Sequence, residues 1–293
     1  MFHYLSSQIL WNILMIKNLL INELIKVVHK KRTYISFFLI TALIPFIVLA
    51  VKNGGGSLEQ KLYGQLADSF IFIGSLVNGN LSSYIIIAIL ISHMPFLSTI
   101  VASEIVSGEY SKGTFRMYLT RPVSRNAVLL SKLIIVYSYT TIMMFYFVMY
   151  TLLVSRLIIG SGDLVVFHEG LLVLDSSDTV WRFLLSFWLS NILMLTVTSL
   201  CFMISTFSKN SVTPIIVTIS VVFIGTAVAF IPIEFFENLN PYLFTGYIDL
   251  FLTAFHDPLP KKLFLQEALV CGIWSTLFIF ISFYHFNKCD ILD

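Results

Sequence analysis

Charge is what this sequence has least of. Asp, Glu, Lys and Arg make up 12% of its 293 residues, against 57% hydrophobic residues and a mean hydropathy of +0.89. A soluble globular domain carries about twice that charged fraction, so that class is excluded. Cysteine is nearly absent. Cys201, Cys271 and Cys289 all fall in or beside apolar runs, which argues against a disulfide framework. Enzyme signatures are missing too: there is no HExxH, no GxSxG and no paired histidine–cysteine metal spacing, and the histidines at 3, 29, 93, 168, 256 and 285 lie far apart. Basic residues hug the apolar runs instead of forming a basic domain, so no nucleic-acid partner is expected. The N-terminus lacks the order of a signal peptide, because its first lysine, Lys17, follows the apolar "ILWNILMI" and no small-residue cleavage site comes after it.

What the sequence does have is apolar length. Six runs reach the roughly 20 residues that cross a bilayer: 34–51, 84–102 with Pro95 as a kink, 127–154, 183–207, 212–231 and 263–286. The fold class is therefore an all-α polytopic membrane protein, a single transmembrane domain over 1–293. Ahead of the first span, 8–32 reads as an amphipathic helix. Asn12, Asn18, Asn22, Glu23, Lys26, His29 and Lys30 share one side, and Ile9, Ile13, Ile16, Leu20, Leu24 and Val27 the other. A helix lying in the membrane interface fits this pattern, with its lysines in water. The alternative, a buried helix of a soluble domain, lacks a soluble domain to belong to.

The 18 basic residues set the orientation. With the N-terminus inside, twelve of them fall on inner segments and six on outer ones, in the direction of the positive-inside rule. Both termini and the stretch 103–125 are then cytoplasmic, in a plasma membrane. Lys132, in the third span, is placed near the inner headgroups. Outside, Lys52–Ser83 reads as a polar loop containing "GGGS". Within 164–174, two short apolar runs flank "HEG" as a hairpin would. The segment 241–257 is too apolar for a solvated loop and has prolines at both ends. It reads either as a short element dipping into the outer leaflet or as an interfacial helix.

Gradient-driven transporters carry ionisable residues at bilayer depth, and this sequence offers few. His93 in the second span is one, and Glu267 near the start of the last is another. His93 reads either as a relay or, more simply, as a bond to a neighbouring helix. The fourth span has a polar run, Asn191, Thr196, Thr198, Ser199 and Ser205. Helix–helix hydrogen bonding and a translocation path both account for it.

The stretch "SEIVSGEYSKGTFRMYLTRPVSR", 103–125, concentrates charge and turn residues between two apolar runs. Gly108 and Gly113 give GxxxxG, but Thr114-Phe115 follows where a phosphate loop needs Lys-Ser/Thr, so no nucleotide is held here. The second span is expected to run on through "SEIVSGEY" and break near Gly108 or Gly113. Thr114 would cap a short helix ended by Pro122, and Ser124 would cap the third span. Phe115, Tyr118 and Leu119 give the short helix an apolar face, with Arg116 on its polar side. This unit reads as a docking element for a partner, or as a solvated loop obeying the positive-inside rule.

The string "SEIVSGEYSKGTFRMYLTRPVSRNAVLLSKL" closely resembles the cytoplasmic signature of the ABC type-2 permease family, through Glu104, Gly108, Glu109, Gly113, Thr114, Leu119, Pro122, Ser124, Arg125 and Lys132. The stretch "NELIKVVHKKRTYISFFLI" also looks like that family's interfacial helix entering its first span. The resemblance implies a permease with no cofactor of its own, paired with a nucleotide-binding ATPase subunit that holds ATP and Mg. It also implies a second permease copy, identical or related. Export follows from the family alone. The stretch 103–125 would be the coupling segment, its contacts to the ATPase drawn from Glu104, Glu109, Lys112, Gly113, Thr114, Phe115, Arg116, Tyr118, Leu119, Arg121 and Arg125. His93, Asn191, Thr196, Thr198 and Ser199 are candidates for the translocation path of an amphipathic peptide, lipid or drug-like compound. A non-transporting membrane anchor or sensor that recruits an ATPase is the alternative, and a gradient-driven transporter comes third.

Overall fold

The computed structural model describes residues 2–63, 77–111, 113, 123–167, 171–229 and 231–288. Its helices are α1 (Phe2–His29), α2 (Thr33–Tyr63), α3 (Gly79–Leu90), α4 (Met94–Ser111), α5 (Arg125–Ile159), α6 (Ser176–Phe207), α7 (Val212–Ala229), the short α8 (Glu234–Leu239) and α9 (Lys261–Lys288). A hairpin of β1 (Leu164–Phe167) and β2 (Leu171–Leu174) joins α5 to α6, with Leu164 opposite Leu174 in antiparallel register. Among the described residues, six helical stretches are long and apolar enough to cross a membrane: α2, the α3–α4 pair, α5, α6, α7 and α9. This is an all-α polytopic membrane protein.

Local chemistry explains the boundaries. Pro95 has no N–H for the Ile91 carbonyl, so Met94 N–H takes that acceptor and Ile91–His93 tightens into a 3₁₀ turn between α3 and α4. Ser124 caps α5, its Oγ accepting from Ala127 N–H at 3.3 Å. Between α6 and α7, Asn210 Oδ1 accepts from Val212 N–H at 3.0 Å. Two boundaries differ from the sequence reading. Helix α2 continues through the glycines to Tyr63 where a loop was expected, since glycine weakens a helix by about 1 kcal/mol without ending it. The second span begins at Gly79, not at 84, because Asn78 caps it, its Oδ1 accepting from Asn80 and Leu81 N–H at 3.0 Å each.

Helix α6 is the pillar of the bundle and touches α4, α5, α7, α9 and the 250–255 turn. Its hydroxyls join helices. Thr196 donates to the Cys271 carbonyl of α9 at 3.2 Å, and Ser205 donates to the Ser103 carbonyl of α4 at 2.7 Å. Thr198 meets Thr140 of α5 at 3.1 Å, and Ser199 meets Tyr137 of the same helix. Where lipid removes the hydrophobic drive between helices, such bonds and close packing hold a bundle together. The outer faces of α2, α7 and α9 expose Phe46, Phe223, Ile224, Ile273 and Phe280, which only lipid or another apolar surface would cover.

The segment before α9 folds back against the bundle. It winds through 3₁₀ turns at Asn240–Tyr242, Phe244–Tyr247 and Leu250–Phe255. Phe244 stacks edge-on against Trp274, midway along α9, and Thr245 packs against Gly225 of α7, where a Cβ would lie 2.6 Å from Thr245 Cγ2. The chain then climbs back to Phe255, which lies on Tyr84 and Phe183 near the hairpin end of the bundle. Phe244, Phe251, Ala254 and Phe255 are buried, so this irregular backbone is covered by protein, the condition under which it persists at membrane depth. Arg182 of α6 secures its exit by donating to the carbonyls of Ala254 at 3.2 Å and His256 at 2.6 Å.

Candidate functional site

The end of the bundle where α1 meets α2 holds the chemistry. Helix α1 has three faces, not two. Leu19, Glu23 and Val27, spaced four apart, are buried against the protein. Ile21, Leu24, Ile25 and Val28 form an exposed apolar ridge, and Asn18, Asn22 and His29 are exposed on a polar side. The sequence reading is corrected here. Glu23 is not on the wet face, and Leu24 and Val27 do not share a face.

Glu23 faces inward because two lysines meet it there. Lys132, wholly buried on α5, reaches Glu23 Oε2 at 2.8 Å and Glu109 Oε1, in the last turn of α4, at 2.8 Å. Lys26 of α1 reaches Glu23 Oε1 at 2.9 Å and the same Glu109 oxygen at 2.8 Å. The four side chains close a ring of alternating sign with no net charge, fastening α1, α4 and α5 together. Each lysine bridges both carboxylates, the arrangement a buried charge needs to offset its lost hydration. Burial pushes the Glu23 carboxyl up, but the charge and hydrogen bond of Lys132, aided by Lys26, outweigh it and leave the pKa below the ordinary value. Burial likewise pulls Lys26 down, yet Glu109 and Glu23 raise it above the ordinary lysine value. The Lys132 ammonium lies inside the protein between two carboxylates, a pairing the sequence did not show.

One turn before Glu109, Glu104 lies 3.8 Å from both Lys30 and Arg32 of the α1–α2 turn. Gly108 explains itself here. A Cβ at that position would sit 2.7 Å from Glu104 Cγ, so the missing side chain makes room for the Glu104 stem. The helix does not break at Gly108 but runs to Ser111. The turn comes at Gly113, whose φ of +65° lies in the left-handed region that glycine enters without strain. On the far side, Arg125 Nη1 donates to the Asn287 carbonyl at 3.4 Å, and Asn287 Nδ2 donates to Asn126 at 2.7 Å, joining the start of α5 to the end of α9.

Of the expected contact residues, then, Glu104, Glu109, Gly113 and Arg125 are placed. Both glutamates face cations of their own chain. Lys112, Thr114, Phe115, Arg116, Tyr118, Leu119 and Arg121 lie outside the described residues. Of the expected path residues, Thr196 and Ser199 are brought into one hydroxyl cluster through Ser275 and Tyr137, and His93 is not bonded to it. His93 is exposed in the 3₁₀ turn and meets Ser92 at 3.2 Å, not a neighbouring helix. Thr196, Thr198 and Ser199 join helices as above, and Asn191 is buried with its Oδ1 unpartnered. Sequence reasoning missed Glu23 and Lys26 as ring members. The available signal was a carboxylate at the centre of the Leu19–Val27 stripe.

The family model described as "ABC-2 family transporter protein" matches residues 19–225, which include α1 from Leu19, the ring, the pillar helix and most of α7. The chain is 27% identical over 200 residues to an uncharacterized protein, YhcI, of Bacillus subtilis (strain 168). The match covers 66% of this chain and spans 63% of the length of that relative.

Proposed function

This chain belongs to the ABC-2 family of transporter proteins, and we propose that it is the membrane subunit of an ATP-driven exporter whose ATP hydrolysis takes place, with Mg, on a separate nucleotide-binding subunit. The basic end of the bundle faces the cytoplasm of a plasma membrane, with both termini on that side, as the distribution of lysine and arginine favours. Two copies of the permease, identical or related, pair through apolar faces such as those exposed on α7 and α9. The cargo is amphipathic: a peptide, lipid or drug-like compound.

The observation that carries this reading is the position of the ring. Glu109 lies two residues before the end of α4, and Lys132 lies in the second turn of α5. The stretch between these helices holds the expected ATPase contacts. A push on that stretch therefore reaches α4 and α5 at once, and passes through Glu23 and Lys26 to α1. A joint of buried ion pairs resists sliding, so the three helices move as one body. That is what rigid-body rocking between inward-facing and outward-facing states requires.

Photocrosslinking in native membranes tests this, with a photoreactive residue replacing Lys112 or Arg116. The expected result is an adduct to a Walker-motif ATPase whose yield changes when ATP is added. No adduct from several positions in 109–121, despite confirmed insertion, would remove the coupling role. Substrate-stimulated ATP turnover by the complex then separates transport from simple recruitment.

A further inference from the structure

We propose that the cavity between the α1–α2 turn and the end of α4 is a binding site for the headgroup of an anionic phospholipid. The cavity holds about 350 Å³, roughly a dozen water volumes, enough for a hydrated phosphate ester. Lys30, Lys31 and Arg32 supply three cations from the turn, and Glu104 supplies one carboxylate, so the lining is positive in excess. Gly108, Ser111 and Ser211 complete the lining, and the two serines bring hydroxyl-bearing residues to it. Glu104 is held at 3.8 Å by two of these cations, longer than a tight ion pair, so a phosphate can share Arg32 without breaking a short bond. The side chain of Arg32 is 64% exposed. Among the described residues, no carboxylate pairs with Lys31.

The apolar surface beside the cavity decides for a lipid. Ile21, Leu24, Ile25 and Val28 on α1 and Tyr34, Ile35 and Phe38 on α2 are exposed on either side of the basic turn. A headgroup seated among the cations has apolar surface on both flanks for its acyl chains. Basic pockets of this form at helix junctions recognise anionic headgroups. The site rests on the cytoplasmic placement proposed above, because that leaflet presents the lipid to the basic end. Its consequence is regulatory. A headgroup there ties the α1–α2 turn to the last turn of α4, next to the stretch assigned to the ATPase, and so braces the ring in one position.

The test uses the full chain purified in mild detergent, titrated with phosphatidylglycerol or phosphatidylcholine and read by native mass spectrometry. The expected result is one tightly retained phosphatidylglycerol per chain and no matching retention of phosphatidylcholine. Lys31→Gln with Arg32→Gln should weaken retention about thirtyfold, while Lys261→Gln with Lys262→Gln at the other end should leave it unchanged. Ser211→Phe keeps every charge but fills the space, and it should also abolish retention. Equal retention by the Ser211→Phe variant would show diffuse attraction to the basic turn and overturn the cavity site. Displacement of the lipid by glycerol phosphate at equal concentration would show a free-phosphate site and overturn the lipid reading. Retention unaffected by the Lys31–Arg32 pair, with loss of ATPase adducts instead, would reassign the turn to the ATPase. Lipid retention is measured without the ATPase, so failure of the crosslinking experiment does not mimic failure here.

Discussion

Replacing Lys132 by Met removes one corner of the ring and leaves two carboxylates sharing one lysine. Lys132 is 0% exposed, Glu23 2% and the Glu109 side chain 10%, so water is not at hand to replace the lost ammonium. Breaking a buried ion pair on one side costs about 3–5 kcal/mol, because the remaining charge is stranded. At about 2–4 °C per kcal/mol for chains approaching this size, the variant should unfold about 10 °C below the parent. Lys132→Met with Glu23→Gln should recover most of that loss, since Lys26 and Glu109 then pair alone and no charge is left over. The assay is thermal unfolding of a fluorescently tagged protein in mild detergent, followed by the soluble monodisperse fraction. If Lys132→Met costs under about 1 kcal/mol, as an exposed pair would, the closed ring is wrong. If the double variant loses the sum of two single losses, the four charges do not act as one unit.

The ring also fixes a pH response. The depressed carboxyl of Glu23 contributes stability above its ordinary value of 4.5 and loses it as pH falls through the lower folded value. The raised ammonium of Lys26 contributes below 10.5 and loses it as pH rises through the higher folded value. The parent should therefore show no ring-linked change in unfolding temperature between these limits, whereas Lys132→Met should gain stability on acidification, as burial then dominates Glu23 and protonation relieves it. Gly225→Leu should destabilise by about 1–3 kcal/mol through overpacking against Thr245. It should also raise the labelling rate of a cysteine placed at Thr245, and unchanged labelling would mean that the segment before α9 is not wedged there. Ser124→Ala should cost about 1 kcal/mol through the lost cap, with Ser124→Asp restoring it in the same unfolding assay.

Spans were legible because bilayer thickness writes itself along the chain as run length, and the covered segment before α9 because its prolines and apolar content contradict an ordinary loop. The Leu164–Leu174 hairpin and the Ser124 cap were legible as local chemistry. The ring was not, for a physical reason. Glu23 and Lys26 are one turn apart on α1, but Glu109 and Lys132 lie far from them in sequence, and no periodicity reports a tertiary contact. A helical wheel divides α1 into polar and apolar sides, but it cannot separate polar toward water from polar toward a buried partner, or apolar toward lipid from apolar toward protein. Gly108 misled in the same way: glycine marks turns, but here it serves the neighbouring Glu104 side chain within an unbroken helix. The polar run of α6 stood open between a path and helix packing, and four of its hydroxyl groups bridge to other helices.

Membrane voltage acts on net charge, at about 2.3 kcal/mol per elementary charge carried across 100 mV. Two carboxylates and two ammonium groups locked at 2.8–2.9 Å travel together and sum to nothing. However far α1, α4 and α5 swing as a body, this joint moves no gating charge. In the proposed rocking motion, the energised membrane of a living cell would neither drive that swing nor oppose it at this point, and its timing would be left to the ATPase.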